Sequence, residues 1–249
     1  MLFEHYEDFE VTAVWTLGVV FSVWESRRPA HAISRKADWR RDALALLVLI
    51  VGVNASRLGI QQAVRASGLD VRLASGSWNR WPVALQLVVA ALLVDLSIYW
   101  VHRFMHTRLM WNAHKWHHSI EQLYWFAGNR TSLVHAFLFA VPQIVFGLFV
   151  FKFSAVQIGL ISCFGIFMQY FIHSNLHVPL GPIEWILVTP QNHRRHHAYV
   201  AGAPHGNYAS TFAFWDRLFG TYVDWRDLPH DYPLGLGERD KTARMAIGI

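Results

Sequence analysis

Five apolar runs separated by short polar or charged segments organise this chain: Val11–Trp24, Asp42–Leu58, Val83–Val101, Ala136–Phe151 and Ala155–Ile172. As a helix rising about 1.5 Å per residue, the third run measures about 28 Å, close to the hydrocarbon thickness of a bilayer. It is expected to span unaided. The fourth and fifth runs are joined only by Lys152, Phe153 and Ser154, which predicts a tight helical hairpin. Both are short for spans, and tilting or partial burial would accommodate them. The pattern predicts an all-α integral membrane protein with four or five transmembrane helices. The lower count applies if the first run does not cross.

Charge sets the expected orientation. Arg27, Arg28, Arg35, Lys36, Arg40 and Arg41 lie between the first two runs, and the positive-inside rule places that loop in the cytoplasm. The acidic N-terminus then faces outward. It is acidic where a secretory signal is basic, so the first run is expected to be retained. Counting crossings, the third helix ends inside near His102 and the hairpin returns inside near His173. The active site is therefore expected on the cytoplasmic face, of a bacterial inner membrane rather than the endoplasmic reticulum. The segment from Gly59 to Pro82 carries Arg65, Arg72 and Arg80 on the outer side of this scheme, and it reads alternatively as interfacial.

Composition agrees with a membrane setting: of 249 residues, 53% are hydrophobic and 16% charged, with 12 Trp and 17 Phe. No linker or repeat divides the chain, so one membrane-embedded domain is expected: N-terminal helices in 1–94, a catalytic region in 95–222 and a tail in 223–249. The net charge of +5 resides in short loops between apolar runs, which suits anionic lipid. With no nucleic-acid module in sight, nucleic acid is excluded as a partner. Cys163 is the single cysteine and lies in an apolar run, so neither an internal disulfide nor a cysteine-ligated cluster can form.

The histidines change the picture. His102 and His106 form His-x3-His; His114, His117 and His118 form His-x2-His-His. His173 and His177 repeat the first spacing, and His193, His196 and His197 the second. With 15 histidines in the chain, chance places about one in the stretch 102–118, where five occur. On a helix, positions i, i+3 and i+4 share a face, so each cluster is expected to aim two or three imidazoles at one point. Neutral imidazole suits iron, zinc and copper, and four clusters supply nitrogens for two metals. His5, His31 and His230 read as surface or interfacial residues. His135 and His205 fall between, as hydrogen-bonding partners or additional ligands.

The strings Asp95-Leu-Ser-Ile-Tyr99-Trp-Val-His102-Arg-Phe-Met-His106, Trp111-Asn-Ala-His114-Lys-Trp-His117-His118 and Asn192-His193-Arg-Arg-His196-His197 resemble the fatty acid hydroxylase and sterol desaturase superfamily. The likeness runs to Trp215-Asp216-Arg217-Leu-Phe-Gly220-Thr221-Tyr222. It implies two irons held by His102, His106, His114, His117, His118, His193, His196 and His197 in a cytoplasmic helical cap. His173 and His177 match a further pair that contributes in the fatty acid 2-hydroxylase branch. Gly128-Asn-Arg-Thr-Ser-Leu133 looks more like the alkylglycerol monooxygenase branch than the sterol branch, which usually carries a His-Pro pair nearby.

The resemblance implies hydroxylation, ahead of desaturation, of a lipid acyl, alkyl or isoprenoid chain with dioxygen as co-substrate. A histidine shell is neutral, so carboxylates that orient it are expected. Asp95, in an apolar helix on the face of Tyr99 and His106, is the first candidate, expected to bond a ligand histidine or an arginine. Asp216 and Glu121 are weaker ones, and Asp95, Tyr99 and Asp216 are the residues expected to serve catalysis beside the ligands. Tyr99, Trp100, Trp111, Trp116 and Trp125 read as packing residues or as walls of a lipid channel. No flavin, nicotinamide, haem or cluster motif is visible, so electrons are expected from an external donor protein or a reduced pterin. Zinc could substitute for iron. Two other readings stay open: a zinc-dependent lipid hydrolase, which needs fewer histidines, and a metal transporter, which would carry its ligands in mid-helix. The oligomeric state is not legible.

Overall fold

The computed structural model describes residues 6–36, 38–68, 80–151, 153–201, 205–229, 231–237 and 242–249. His5, Arg72, Lys152, His230 and Arg239 lie outside the described residues. Nine α-helices follow in order among the described residues: α1 Tyr6–Arg27, α2 Trp39–Ser67, α3 Val83–Met105, α4 Trp111–His118, α5 Leu133–Ile144, α6 Ala155–His173, α7 Pro190–His196, α8 Phe214–Leu218 and α9 Thr242–Ile247. They contain no β-strand; only the isolated bridges Leu187–Phe212 and Ala198–Leu234 occur.

Three helices among the described residues, α2, α3 and α6, are long and apolar enough to cross a membrane. At 12 residues α5 is shorter, and Pro142 removes a backbone donor near its end. The chain continues as a π-helical turn over Val145–Val150 instead of the single run expected to Phe151. Helix α2 continues to Ser67, nine residues past the end of its apolar run. Arg65 is therefore in a helical last turn and not in a loop, while Arg57 pairs with Glu10 of α1 at 3.3 Å.

Helix α1 packs on α6 and α2 on α5, with α3 against α5. The C-terminal ends of α1, α3 and α6 and the N-terminal ends of α2 and α5 gather on one side, where α4 and α7 lie. Buried Glu25, near the end of α1, locks this side: its carboxylate accepts the Trp125 and Asn175 N–H groups at 2.8 Å each and pairs with Arg35 at 2.8 Å. The same side holds an internal ion pair. Arg130 donates through Nε to Asp42 Oδ1 at 3.1 Å, its second amino group reaches the same oxygen, and Tyr124 donates to Asp42 Oδ2 at 2.7 Å. The remaining Arg130 amino group meets the Ser119 carbonyl and hydroxyl, both at 3.2 Å. Both charges are buried, and every hydrogen-bonding face visible on them is used. The tail returns beneath this layer: Leu234 packs with Ile120 and Leu123, and Met245 with Ala45 and Trp116.

Candidate metal centre

Each histidine box is held by a helix end. Helix α3 delivers His102 and, at its cap, His106; α4 delivers His114, His117 and His118; α6 ends on His173; α7 delivers His193 and His196, with His197 as cap. Thr189 starts α7, its hydroxyl accepting the Asn192 N–H, and Pro190 follows at the first helical position.

The nitrogens converge on two points. His102, His106, His114, His118 and His196 form one group and His117, His173, His193 and His197 the other; within each, the candidate ligand atoms lie within 4.8 Å of one another. In the first group, Nε2 of His114 stands 2.9 Å from that of His102 and 3.2 Å from that of His118, which is 3.1 Å from that of His196. In the second, His173 Nε2 lies 3.1 Å from that of His117 and 2.9 Å from that of His193, and His193 lies 3.2 Å from His197. Neighbouring nitrogens on one metal with bonds of about 2.0–2.1 Å stand about 2.9–3.4 Å apart, from octahedral to tetrahedral arrangement.

Sequence spacing alone suggested that each box serves one point. The structure splits both three-histidine boxes. In α4, His114 and His118 join the first group and His117 the second; in α7, His193 and His197 join the second and His196 the first. Successive helical residues are rotated by about 100°, so i and i+4 nearly eclipse while i+3 faces away from i+4. The two helices use that divergence in opposite senses, and the groups share a wall: the His118 and His197 rings stack with centroids 4.5 Å apart.

The ring nitrogens that face away from these points identify the donors. Nδ1–H of His102 donates to the Tyr208 carbonyl at 2.7 Å, His196 to Gly206 at 2.7 Å, His117 to Arg130 at 2.9 Å and His173 to Gln169 at 2.7 Å. Each Nε2 then carries a lone pair. His117 and His173 consequently present two lone pairs to each other, which repel unless a cation lies between them. The donor set therefore fits a metal in the second group, and the first group, with more nitrogens at the same spacing, fits a second. Burial, reinforced by neighbouring imidazoles, pushes His114, His117, His118, His193, His196 and His197 well below their ordinary pKa, which keeps them neutral and able to ligate.

Of the ten histidines expected to ligate, His177 stands apart. Helix α6 stops at His173 and Ser174 is extended, so the four-residue spacing no longer means a shared face. His177 meets Trp225 instead, ring centroids 5.4 Å apart. His135 comes closer: its Nδ1 is 3.2 Å from Nδ1 of His114, behind the first group. His205 is exposed, its ring 6.0 Å from that of His106. Glu121 is exposed against Gly235, away from both groups.

The carboxylate and aromatic candidates occupy distinct places. Asp95 Oδ2 accepts the Phe212 N–H at 2.9 Å, so this buried acid holds a crossing loop and not the ligand histidine or arginine expected of it. Tyr99 hydrogen-bonds Thr221 Oγ1 at 2.8 Å, behind His102. Asp216 accepts the Tyr208 N–H and the Thr221 hydroxyl on one oxygen, at 2.8 and 2.7 Å, and the Ala209 N–H on the other at 2.9 Å. Burial pushes its carboxyl up to about 6 against the pull of these donors. Among the tryptophans read as packing residues or channel walls, Trp111 reaches the imidazoles, 5.5 Å from His106 and 5.4 Å from His118. Phe139, not anticipated from sequence, lies 4.5 Å from His135 and 6.0 Å from His102.

Arg130, Asp42 and Gly128 were also not foreseen as parts of the site. Arg130 uses its carbonyl on His117 and its side chain on Asp42. Gly128 lies flat against the His173 ring, where any Cβ would overlap it. An acid opening an apolar run and a lone arginine in Gly-Asn-Arg-Thr-Ser were the available signals, since neither charge would be buried unpaired.

Two polyimidazole clusters at the ends of apolar helices fit the metal-binding centre of a membrane protein of the multi-histidine class. The family model "Fatty acid hydroxylase" matches residues 87–221, more than half of the chain, and the chain belongs to this family. It is 37% identical over 140 residues to alkylglycerol monooxygenase of Xenopus tropicalis, covering 52% of this chain and 29% of that protein. Ornithine lipid hydroxylase OlsE of Rhizobium tropici is 30% identical over 147 residues, covering 58% of this chain and 44% of that protein. Methylsterol monooxygenase 1-1 of Arabidopsis thaliana is 26% identical over 206 residues, covering 79% and 65%. The chain thus spans less than half the length of the first two relatives. No solved structure matches it.

Proposed function

We propose that this chain is an integral-membrane di-iron oxygenase that hydroxylates an acyl, alkyl or isoprenoid chain of a membrane lipid, with its site on the cytoplasmic face. The observation that carries the reading is the division of nine histidines, eight buried and His106 half-buried, into a group of five and a group of four. A hydrolytic zinc site requires only one group of about three or four ligands. Similarity to lipid monooxygenases and hydroxylases supports the substrate class and favours hydroxylation over desaturation.

Bound iron would supply the reduction of dioxygen and the oxidation of a C–H bond. The chain's own residues prepare for it. Neutral imidazoles of the two groups would hold the metals, and the Tyr208, Gly206, Arg130 and Gln169 carbonyls fix the ligand tautomers. The packing of α4 and α7 buries the second group entirely and the first except for half-buried His106, and Phe139 and Trp111 would offer apolar walls to a substrate chain entering from the bilayer. Hydroxylation consumes one dioxygen, two electrons and two protons per lipid and releases one water. The electrons would come from a separate donor protein or a reduced pterin.

The test compares lipid extracts from cells expressing the wild type or His117→Ala under heavy dioxygen. A lipid gaining one labelled oxygen only with the wild type supports hydroxylation. Loss of two hydrogens with label confined to water would mean desaturation. Turnover without dioxygen, with label entering from heavy water, would establish a hydrolase.

A further inference from the structure

A single strap of backbone, Gly206–Ala209, holds two ligands of the first group and none of the second. The Gly206 carbonyl takes His196 Nδ1–H and the Tyr208 carbonyl takes His102 Nδ1–H, each at 2.7 Å. The second group takes its carbonyls elsewhere, from Arg130 and Gln169.

Three features build the strap. Asn207 stands between the two carbonyls in the left-handed region at φ 59°, which turns the chain so that both face α3 and α7. Its side-chain amide donates to the Asn192 carbonyl of α7 at 3.2 Å and to the Val223 carbonyl at 2.8 Å, while its oxygen accepts the Val223 N–H at 2.9 Å. Gly206 runs so close to the Thr221 carbonyl and Val223 that a Cβ would collide with both. Asp216 grips the other end through the Tyr208 and Ala209 N–H groups. The Ala209 N–H and the Tyr208 carbonyl belong to one peptide unit, so the Asp216 carboxylate polarises the same peptide that accepts the proton of His102. Hydrogen bonds in such a series strengthen one another. The arrangement equals a carboxylate–histidine–metal triad with one peptide interposed. Behind it, Thr221 donates to Asp216 and receives the Tyr99 hydroxyl, with Arg103 3.3 Å from that hydroxyl.

We propose that Asp216 and Asn207 are positioning residues chiefly for one metal: through the strap they set His102 and His196, and thereby the affinity of the first group, while Asp216 makes no contact with the second group and Asn207 reaches it only through the Asn192 carbonyl at the start of α7. This rests on the dinuclear reading above. Neither residue touches the point where the histidine nitrogens converge. In this proposal Asp216 acts through the strap and Tyr99 one step further back.

The experiment titrates metal-free protein with cobalt(II), whose visible bands report nitrogen coordination, in competition with a chelator. Wild-type protein should bind two cobalt ions; binding of only one overturns the dinuclear reading and not the strap. Asp216→Asn puts an amide where two backbone N–H groups need acceptors. Asn207→Gly retains the left-handed backbone and removes the side-chain ties. Each should weaken one cobalt site by about 10–100-fold; Asp216→Asn should leave the other unchanged, and Asn207→Gly should affect it less than the first. In His173→Ala protein, whose intact site is the first group, either substitution should weaken that remaining site by the same factor. Unchanged affinities, or equal weakening of both sites in protein with the wild-type melting profile, would overturn the proposal. If Asp216→Asn protein does not fold, Asn207→Gly decides alone.

Discussion

His117 and His173 face each other Nε2 to Nε2 at 3.1 Å, with both Nδ1–H groups committed to backbone carbonyls. A shared cation relieves the repulsion of the two lone pairs, and removing either ring leaves the second group with three nitrogens. His117→Ala and His173→Ala are each expected to abolish activity and to lower metal content from about two ions per chain to about one, counted by elemental analysis. Retention of two ions by His173→Ala would remove it from the ligand set.

His177 provides the contrasting substitution. It lies on the extended segment after α6 and meets Trp225, so His177→Ala should keep both metals and most of the activity. A variant with the metal content of His173→Ala would show that His177 moves into the site.

Acid should empty the centre. The histidines of α4 and α7 have pKa values depressed below the ordinary 6.5 by burial. A base depressed in the folded state contributes stability that is complete above its unfolded pKa and is lost as pH falls below that value. Metal retention and apo-protein melting temperature should therefore both be constant from about pH 7 to 8 and decline progressively below about 6.5. Dialysis at stepped pH followed by metal analysis measures the first and a melting curve the second. A decline that begins instead above pH 7 would contradict the burial account.

The Asp42–Arg130 pair should matter far more than the exposed pair beside it. Asp42→Ala leaves the Tyr124 hydroxyl without its acceptor and the buried Arg130 guanidinium with only Ser119 and the more distant Asp38, at 3.6 Å, which should cost up to about 3–5 kcal/mol. Arg41→Ala removes a half-exposed partner of Asp38 and should cost less than about 1 kcal/mol. Denaturation in detergent micelles compares the two, and equal losses would mean that the buried pair is screened.

Topology follows from the charged loops. In a Cys163→Ser background, single cysteines at Lys36 and Arg108 should react with an impermeant reagent only from the cytoplasmic side. Labelling of the Arg108 position from outside would reverse the orientation.

By itself the sequence determined the helices and the kind of chemistry. Apolar runs of bilayer length admit few structures other than helices, and histidines at i and i+4 are brought to one face by local geometry, which needs no partner element. Tertiary structure decided which histidines converge on one point. The split of His114 and His118 from His117, mirrored in His193 and His197 against His196, depends on how α4 and α7 are rotated about their axes. That rotation is set by packing of α4 against α9, α3 and α5, and of α7 against α6. The exclusion of His177 required knowing that α6 stops at His173, a boundary that no spacing encodes. Likewise, Asp216 and Tyr99 were found by residue type but assigned their place only by the strap, because a backbone carbonyl leaves no mark on the sequence. Asp42 and Arg130 are 88 residues apart, and their pairing became visible only once α2 and the turn before α5 were packed together. Buried charges must find each other, but the chain does not say where.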